Sequence, residues 1–597
     1  MADAPQWQRR FTTPRIDRVA WSPAAPDRLG IVSNEDGSSQ AWAWDLDTGE
    51  RRRASRGGVG AEEVHLSADG AGVVWWLDPT GDERGRWMVT PFEGGEATPL
   101  FPVADGWAMG LSIVPGAAAF GLADDETYTV YVQRGEAPPR AVYRHRRPAG
   151  VGAEWPTGPG GLSTDATLLA IRHAEESDIS RPAVRVLHAN TGEALGEVAD
   201  EGLRVEPAAW SPLPGDQRLV LIRELDDVER PWVWDLSSGA LDELSVGLPG
   251  AIFLEDWYPD GTALLLRRSF EAQDQLIRSD LLTGVVTELT PLDGTISNAR
   301  VRPDGEIWLR IERGTHAPRI QDLTGREALS LDGEAAPAGH RFEPVWFENP
   351  SGDRIQGWLI RPEGEVPFPT VVSVHGGPEY HDTDAFDPRL QAFVDHGYAV
   401  LLVNYRGSTG YGTAYRQLLK GNIGFPESED IVAGLDHLIA TGVTDPDRVA
   451  IEGWSWGGYL ATLNAGRHPD RWRAVIAGIP VGDYVAAHYE CAPALREWDL
   501  ATLGGSPMEL PELYAERNPM TYVDSVRAPM LMIAGDHDSR CPLGQVMVYA
   551  HALKARGREV DVHLYPGGHH ANDVDEQIAH VELMLSFLGR HLGANPR

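Results

Sequence analysis

Seven times in the first half of the chain a short β-branched or aromatic run ends in a Pro-, Gly- or Asp-rich turn. The turns are "AWSPAAPDR" at Ser22, "HLSADG" at Ser67, "SIVPG" at Val114, "GLSTD" at Ser163, "AWSPLPGD" at Ser211, "DWYPDG" at Tyr258 and "RVRPDG" at Arg302. Their successive spacings are 45, 47, 49, 48, 47 and 44 residues. A second marker keeps phase with the first: "WDLDTG" ending at Gly49, "HANTG" at Gly192, "WDLSSG" at Gly239, "SDLLTG" at Gly284 and "QDLTG" at Gly325. A unit of roughly 45 residues has room for four short strands, the size of a propeller blade. Radial closure also removes the open edges that a lone sheet would expose. The pattern therefore predicts a seven-bladed β-propeller over residues 1–330 with a short N-terminal extension. A pair of β-sandwiches would have no reason to hold so regular a period.

The rhythm changes after the small-residue linker "LDGEAAPAGH", taken as residues 331–340. From 341 to 597 a hairpin-like stretch leads into alternating apolar strands ("PTVVSVHGG", "AVLLVNYRG", "RVAIEGWS", "RAVIAGIP", "APMLMIAGD", "VDVHLYPGG") and amphipathic helices ("SEDIVAGLDHLIATG", "LGQVMVYAHALKARG", "QIAHVELMLSFLGRHL"). Continuous apolar strands alternating with helices predict a mostly parallel, doubly wound sheet covered on both faces, as in an α/β-hydrolase.

In "VAIEGWSWGGYLATLNAGRHP", Ser455 stands between Gly453 and Gly457–Gly458, where a strand pattern becomes a helix pattern. A strand–elbow–helix with this G-x-S-x-G spacing exposes a serine hydroxyl above the sheet and aims the next N–H, that of Trp456, at a developing oxyanion. A serine nucleophile needs a base, and the base needs an orienting acid. Such groups are expected in loops at the C-terminal ends of later strands. "DHDSRCP" offers Asp536 and Asp538, and "HHAND" offers His569 and His570.

At this point the chain resembles the prolyl oligopeptidase family of serine peptidases, in particular its acylaminoacyl-peptidase branch. "HGGP" (375–378), "NYRGSTGYG" (404–412), "GWSWGG" (453–458) and "GDHDSRCP" (535–542) stand in that family's order. The resemblance implies Asp538 as the acid, Arg540 as a ligand for a substrate carbonyl, and the Gly377 N–H as a second oxyanion donor beside Trp456. The family's usual Gly-His points to His569. Spacing from the strand-end proline (P-x-x-x-H, then Ala) selects His570 instead, because loop length governs reach to the serine, and His570 is the base expected here.

The remaining motifs have plainer readings. His375 is read as a residue that holds its loop by hydrogen bonds, and Arg406 with Glu429 or Asp430 as a pin between a strand loop and a helix start. Val481, Tyr484 and Trp498 are candidates for an apolar pocket around the residue before the scissile bond, against ordinary core packing. The acidic stretches "HAEESDIS" (173–180) and "ELDDVER" (224–230) are read as solvated faces and left out of the site. No calcium loop, zinc-ligand spacing or phosphate-binding glycine loop is present, so neither cofactor nor metal is expected.

A net charge of −36 argues against nucleic acid or an anionic membrane as partner. Two cysteines cannot build a disulfide framework, and the N-terminus has no apolar leader, so a cytoplasmic enzyme is expected. The reading is a serine peptidase acting on short peptides or acyl-peptides through Ser455, Asp538 and His570, of acylaminoacyl-peptidase, aminopeptidase or oligopeptidase type. By family likeness the propeller restricts access, and pairing through an exposed sheet edge makes a homo-oligomer an open option. The alternatives are a small-molecule esterase or amidase on the same machinery and a non-catalytic propeller scaffold.

Overall fold

The computed structural model describes residues 4–152 and 160–593; the expected domain limits at 1 and 597 fall outside them. Up to Glu327–Leu329 the chain forms successive four-strand antiparallel meanders, beginning with Ile16–Ser22, Ala25–Ser33, Gln40–Asp45 and Arg51–Arg53. Two neighbouring meanders are also joined into one eight-stranded path, through Arg84 opposite Trp107 and Gly85 opposite Gly106. The second sequence marker is the turn between third and fourth strands. In the first unit the Asp45 carbonyl accepts the Gly49 N–H (2.8 Å), its carboxylate accepts the Thr48 N–H (2.9 Å), and Gly49 takes φ 74°. Asp235 with Gly239 and Asp280 with Gly284 repeat these bonds. The Asx turn thus fixes where each outer strand begins.

Each meander buries one face against the next. Val32 and Ala41 share a cluster with Val73 and Trp75, and Leu265 and Leu276 with Ile296 and Leu309. Ile16, Leu29, Ile31 and Trp44 pack with Trp308, Ile320 and Leu329, so the last sheet closes on the first, as in a β-propeller.

The C-terminal part is one eight-stranded sheet in the order Phe342–Glu348, Arg354–Ile360, Ala399–Asn404, Phe368–Val374, Thr444–Trp454, Ala474–Gly478, Met530–Gly535, Val560–Tyr565. The second strand, Arg354–Ile360, is antiparallel to both its neighbours, and all the later pairings are parallel. The inner strands are buried along their whole length, which is why they read as unbroken apolar runs. Apolar clusters cover both faces, one under Phe425–Ala440, Trp456–Arg467 and Leu543–Ala555, the other under Pro388–Asp395 and Val574–Leu592.

The N-terminal helix Gln6–Thr12 touches the ring that follows it through Asn34, which donates to the Phe11 carbonyl (3.3 Å), but its apolar side chains pack elsewhere. Its Trp7 and Phe11 join Ala392, Val574 and Val581 of the C-terminal part. Arg10, 2% exposed, reaches Asp395 (2.5 Å) and the carbonyls of Pro337 (3.2 Å) and Ala338 (2.8 Å). The small-residue linker is therefore clamped from both sides.

Candidate active site

The glycines around Ser455 are required by space. A Cβ on Gly457 would overlap the Val374 carbonyl oxygen, one on Gly453 would run into the Gly457 carbonyl, and one on Gly458 would lie 2.5 Å from the Gly478 oxygen. Ser455 itself takes φ 58° and ψ −119°, a conformation costing about 1–3 kcal/mol for a residue with a side chain. Its N–H donates to Gly478 O (2.9 Å) and its carbonyl accepts from Tyr459 N (2.9 Å), so strand and helix together hold the strained turn. The helix Trp456–Arg467 starts at the next residue and directs its N-terminal amides and dipole toward the serine.

The hydrogen-bonded partner of Ser455 is His569. His569 Nε2 lies 3.0 Å from Ser455 Oγ, and its Nδ1 lies 2.9 Å and 3.1 Å from the two oxygens of Asp538. His570 is corrected by this geometry: its side chain is exposed and stands outside the chain of bonds. The physical reason is that the loop is pinned one residue earlier than its length suggests. The Tyr565 hydroxyl donates to Gly568 O (2.7 Å), Gly567 N donates to Asp536 (3.0 Å), and His537 N donates to Gly567 O (2.9 Å). These bonds lay 565–568 against the acid loop. A Cβ on Gly568 would overlap the carbonyl of Gly81, which comes from the propeller. The pinned glycine is thus Gly568, and the residue after it faces Asp538. The Gly-His pair was the signal to follow.

Asp538 is buried and accepts the N–H groups of Arg540 and Cys541 (2.8 Å each). Burial alone would raise its carboxyl, but His569 and these two amides outweigh that and hold it below the usual value. It stays an anion able to orient the imidazole. Asp536 is spent on the backbone of Gly567 instead.

The "HGGP" loop abuts the elbow. A Cβ on Gly376 would stand 3.5 Å from the Ser455 Cβ and 3.9 Å from the Trp456 nitrogen, while Gly377 follows with φ 121°. His375 holds the loop as expected from its hydrogen-bonding capacity: Nδ1 is 2.7 Å from Gly376 O, Nε2 is 2.9 Å from Ser408 Oγ, and the ring stacks on Tyr405. Arg406 binds Asp430 through its own N–H (2.7 Å) and guanidinium (3.0 Å) and also reaches Glu429 (2.9 Å).

The three pocket candidates separate. Val481 and Tyr484 are in the core at 8% and 3% exposure, and the Tyr484 hydroxyl donates to Asp499 (2.7 Å). Trp498 packs edge-on against Trp456 (5.3 Å) and lines a cleft between the two parts of the chain, with Pro378, Glu379, Arg416 and Arg181.

The propeller supplies groups that sequence reasoning left aside. Asp78 accepts the N–H groups of Gly81 (2.7 Å) and Glu83 (2.9 Å), shaping a loop that delivers Glu83 to Arg540 (2.5 Å). The stretch 224–230 exposes Asp226 and Asp227 at its tip but buries Glu224. Glu224, 1% exposed, pairs with Arg416, and Arg416 and Arg204 both bind Glu379 (2.6 and 2.8 Å). Asp227 also accepts the Thr413 N–H through its carbonyl (3.1 Å). Within 173–180, Glu175 is held to about pKa 2 by Arg185, although burial opposes it. A one-dimensional reading sees the charge run but not the arginines that meet it from distant parts of the chain.

A strained serine elbow on a mostly parallel sheet, hydrogen-bonded to a histidine and an aspartate from later loops, defines a hydrolase-type domain. Residues 384–595 match the Prolyl oligopeptidase family. The chain is 33% identical over 366 residues to the acylamino-acid-releasing enzyme of Rattus norvegicus, covering 57% of this chain and 50% of the rat protein. It is 26% identical over 364 residues to acylamino-acid-releasing enzyme 2 of Oryza sativa subsp. japonica, covering 54% of this chain and 46% of the rice protein. The chain thus spans about half the length of the curated relatives it matches. Among solved structures, Pyrococcus horikoshii acylaminoacyl peptidase has the same fold over 100% of this chain and 98% of its own, with a TM-score of 0.73 at 17% identity. Among the described residues no helix is long and apolar enough to cross a membrane.

Proposed function

We propose that this protein is a serine peptidase that hydrolyses short peptides or acyl-peptides through an acyl-enzyme, with Ser455 as nucleophile, His569 as general base and Asp538 as orienting acid. The observation that carries the reading is the unbroken line from Ser455 Oγ through His569 to Asp538, at 3.0 and 2.9 Å. His569 takes the serine proton as Oγ attacks the amide carbonyl, and the N–H groups of Trp456 and Gly377 stabilise the tetrahedral oxyanion. His569 then protonates the leaving amine, and a water activated by the same imidazole releases the acyl group. Arg540, held by Glu83, faces the substrate carbonyl, and Trp498 borders the pocket for the residue before the cut. The names of the relatives support an acylated or short peptide as substrate.

The domain scheme proposed is a propeller within residues 1–330, a linker at 331–340 and a catalytic domain at 341–597. Counting the eight-stranded path as two blades gives seven, in agreement with the period of the turns. The closed ring limits entry to short or unfolded chains. Two free, buried cysteines, Cys491 and Cys541, fit a reducing cytoplasmic setting.

The test is a panel of anilides (free aminoacyl, N-acetyl-aminoacyl, dipeptidyl, internally blocked X-Pro) with Ser455→Ala as control. One class is expected to dominate, with turnover falling by roughly 10⁴–10⁶ in Ser455→Ala and at least ~10⁴ in His569→Ala, while His570→Ala stays within about tenfold of the wild type. Retained activity in Ser455→Ala, or a larger loss at His570 than at His569, overturns the assignment. Negligible rates on every anilide with intact fluorophosphonate labelling transfer the same machinery to a small-molecule ester or amide.

A further inference from the structure

On the sheet face opposite the helix Trp456–Arg467, three side chains converge with no part in the chemistry above. His563 lies on the edge strand Val560–Tyr565; Glu576 and His580 lie one turn apart on the final helix Val574–Leu592. The helix start is fixed by Asp573, which accepts the N–H groups of Asp575 (3.0 Å) and Glu576 (3.1 Å), so the Glu576 carboxylate is presented toward the strand. His563 Nε2 is 3.1 Å from Glu576 Oε1, and His580 Nε2 is 3.0 Å from the same oxygen. One ligand atom from each residue lies within 4.8 Å of the others.

The His580 contact is not a hydrogen bond. Its Nε2 is buried, the side chain is 4% exposed, and among the described residues that nitrogen has no hydrogen-bond partner despite its closeness to the carboxylate. An orphaned buried nitrogen is costly unless something else satisfies it. The ring is fixed by Tyr565 (4.9 Å) and Trp454 (5.7 Å), so it cannot swing to find another partner without repacking. The two imidazole–carboxylate separations, 3.1 and 3.0 Å, are close to the edge length of a tetrahedral metal site. With metal–ligand bonds of about 2.0–2.2 Å, neighbouring ligands stand about 3.3 Å apart. His563 and Glu576 are 31% and 27% exposed, which leaves a solvent side for entry and for a water ligand.

We propose that His563, Glu576 and His580 form a binding site for a divalent transition-metal ion of the zinc or cobalt type. Two imidazoles and one carboxylate favour such ions over calcium or magnesium, which seek mainly oxygen. The bound ion joins the last strand to the last helix. It thereby closes the segment 564–575, which carries His569, and the Tyr565 ring beneath His580 is the same one whose hydroxyl holds Gly568. The site staples the base of the histidine loop and touches no reacting atom. The other gathering of donors, Asp538, Cys541 and His569, belongs to the active site and is the competitor that a test has to separate.

The full-length protein, stripped with a chelator, is titrated with Co²⁺ while visible absorption is followed, and with Zn²⁺ by calorimetry. The expected result is one saturable site, weakened at least about tenfold in both His563→Ala and Glu576→Gln and unchanged in Cys541→Ser. Zn²⁺ should also raise the melting temperature of the wild type but not of these two variants. Melting curves in chelator check that each variant folds, and His563→Gln replaces His563→Ala if the latter does not. Absence of saturable binding up to ~1 mM overturns the proposal. So does binding that both site variants keep, including binding lost only in Cys541→Ser.

Discussion

Glycine performs two different tasks in the two halves of this molecule. In the propeller, Gly239 closes an Asp-led turn with φ 76° and has open space where a Cβ would stand. In the catalytic domain, Gly457 has no positive φ but no room, because a Cβ would overlap the Val374 carbonyl oxygen. The first glycine is a conformational choice made again at Gly49, Gly284 and Gly325. The second is a single steric necessity where a strand, a helix and the "HGGP" loop meet. Repetition spreads the demands on the ring over many equivalent places, whereas the site depends on groups that occur once.

Among changes that leave every reacting group in place, the largest effect is therefore expected from Gly457→Ala. The displaced Val374–His375 backbone carries the "HGGP" loop with it, and loss of one oxyanion donor, as proposed for Gly377, costs about 10²–10³ in turnover. Fluorophosphonate labelling rates, with circular dichroism to confirm folding, measure it. Labelling at the wild-type rate would show that the close approach is not what the site requires.

The same contrast governs what was legible in the sequence. The ring could be read from its period alone, because each turn states its own geometry locally. The elbow could be read because three glycines crowd one serine just where a strand pattern gives way to a helix pattern, and a sharp turn of that kind needs them all. The histidine that meets Ser455 lies one residue earlier than the count from the strand-end proline gives. The register of its loop is set by Gly568 against Gly81, by Asp536 and by the Tyr565 hydroxyl, contacts that no count from the strand-end proline contains. Glu224 in the acidic stretch 224–230 was misread for a related reason, since its partner Arg416 lies 192 residues away. Tyr484 shows the limit for aromatic residues: the same letter serves a pocket wall or a core, and Asp499 decides for the core.

Glu224 is the propeller residue that least obeys the rule of shared demands. It is buried against Arg416, which in turn holds Glu379 beside the "HGGP" loop. Glu224→Gln takes from that arginine one of its two carboxylate partners and leaves Glu379 as the other, at a cost of about 1–3 kcal/mol where the two domains meet. Thermal unfolding should begin at lower temperature, and KM should rise more than kcat falls. A variant as stable as the wild type would place this contact among the dispensable ones.

A smaller effect concerns acid. Burial drives His375 down to about pKa 3, from an ordinary value near 6.5. Between those values the unfolded chain binds a proton that the folded protein refuses. Stability supplied by the neutral ring is complete above about pH 6.5 and is lost as pH falls toward 3, at up to ~1.4 kcal/mol per unit. From pH 7 to 5 this amounts to about 2 kcal/mol. Denaturant unfolding of His375→Gln should show a slope shallower by close to one proton between pH 5 and 6, whatever its absolute stability. An unchanged slope would mean that the ring is already protonated in the folded protein.

The smallest effect belongs to Gly239→Ala. Open space removes any clash, so the cost is that of forcing a side chain into the left-handed region, about 1 kcal/mol. In a chain of this size that shifts the melting temperature by a few degrees at most. Activity should not change, since the turn lies on the outer rim of one blade and its Asp235 bonds survive the substitution. Equal damage from Gly239→Ala and Gly457→Ala would break the contrast, because it would mean that the ring transmits a local turn defect to the serine elbow. A shift of one or two degrees with full turnover would sharpen it: the repeated glycines would then be shown to set strand boundaries one at a time, and the elbow glycines to hold a site that no other part of the chain can replace.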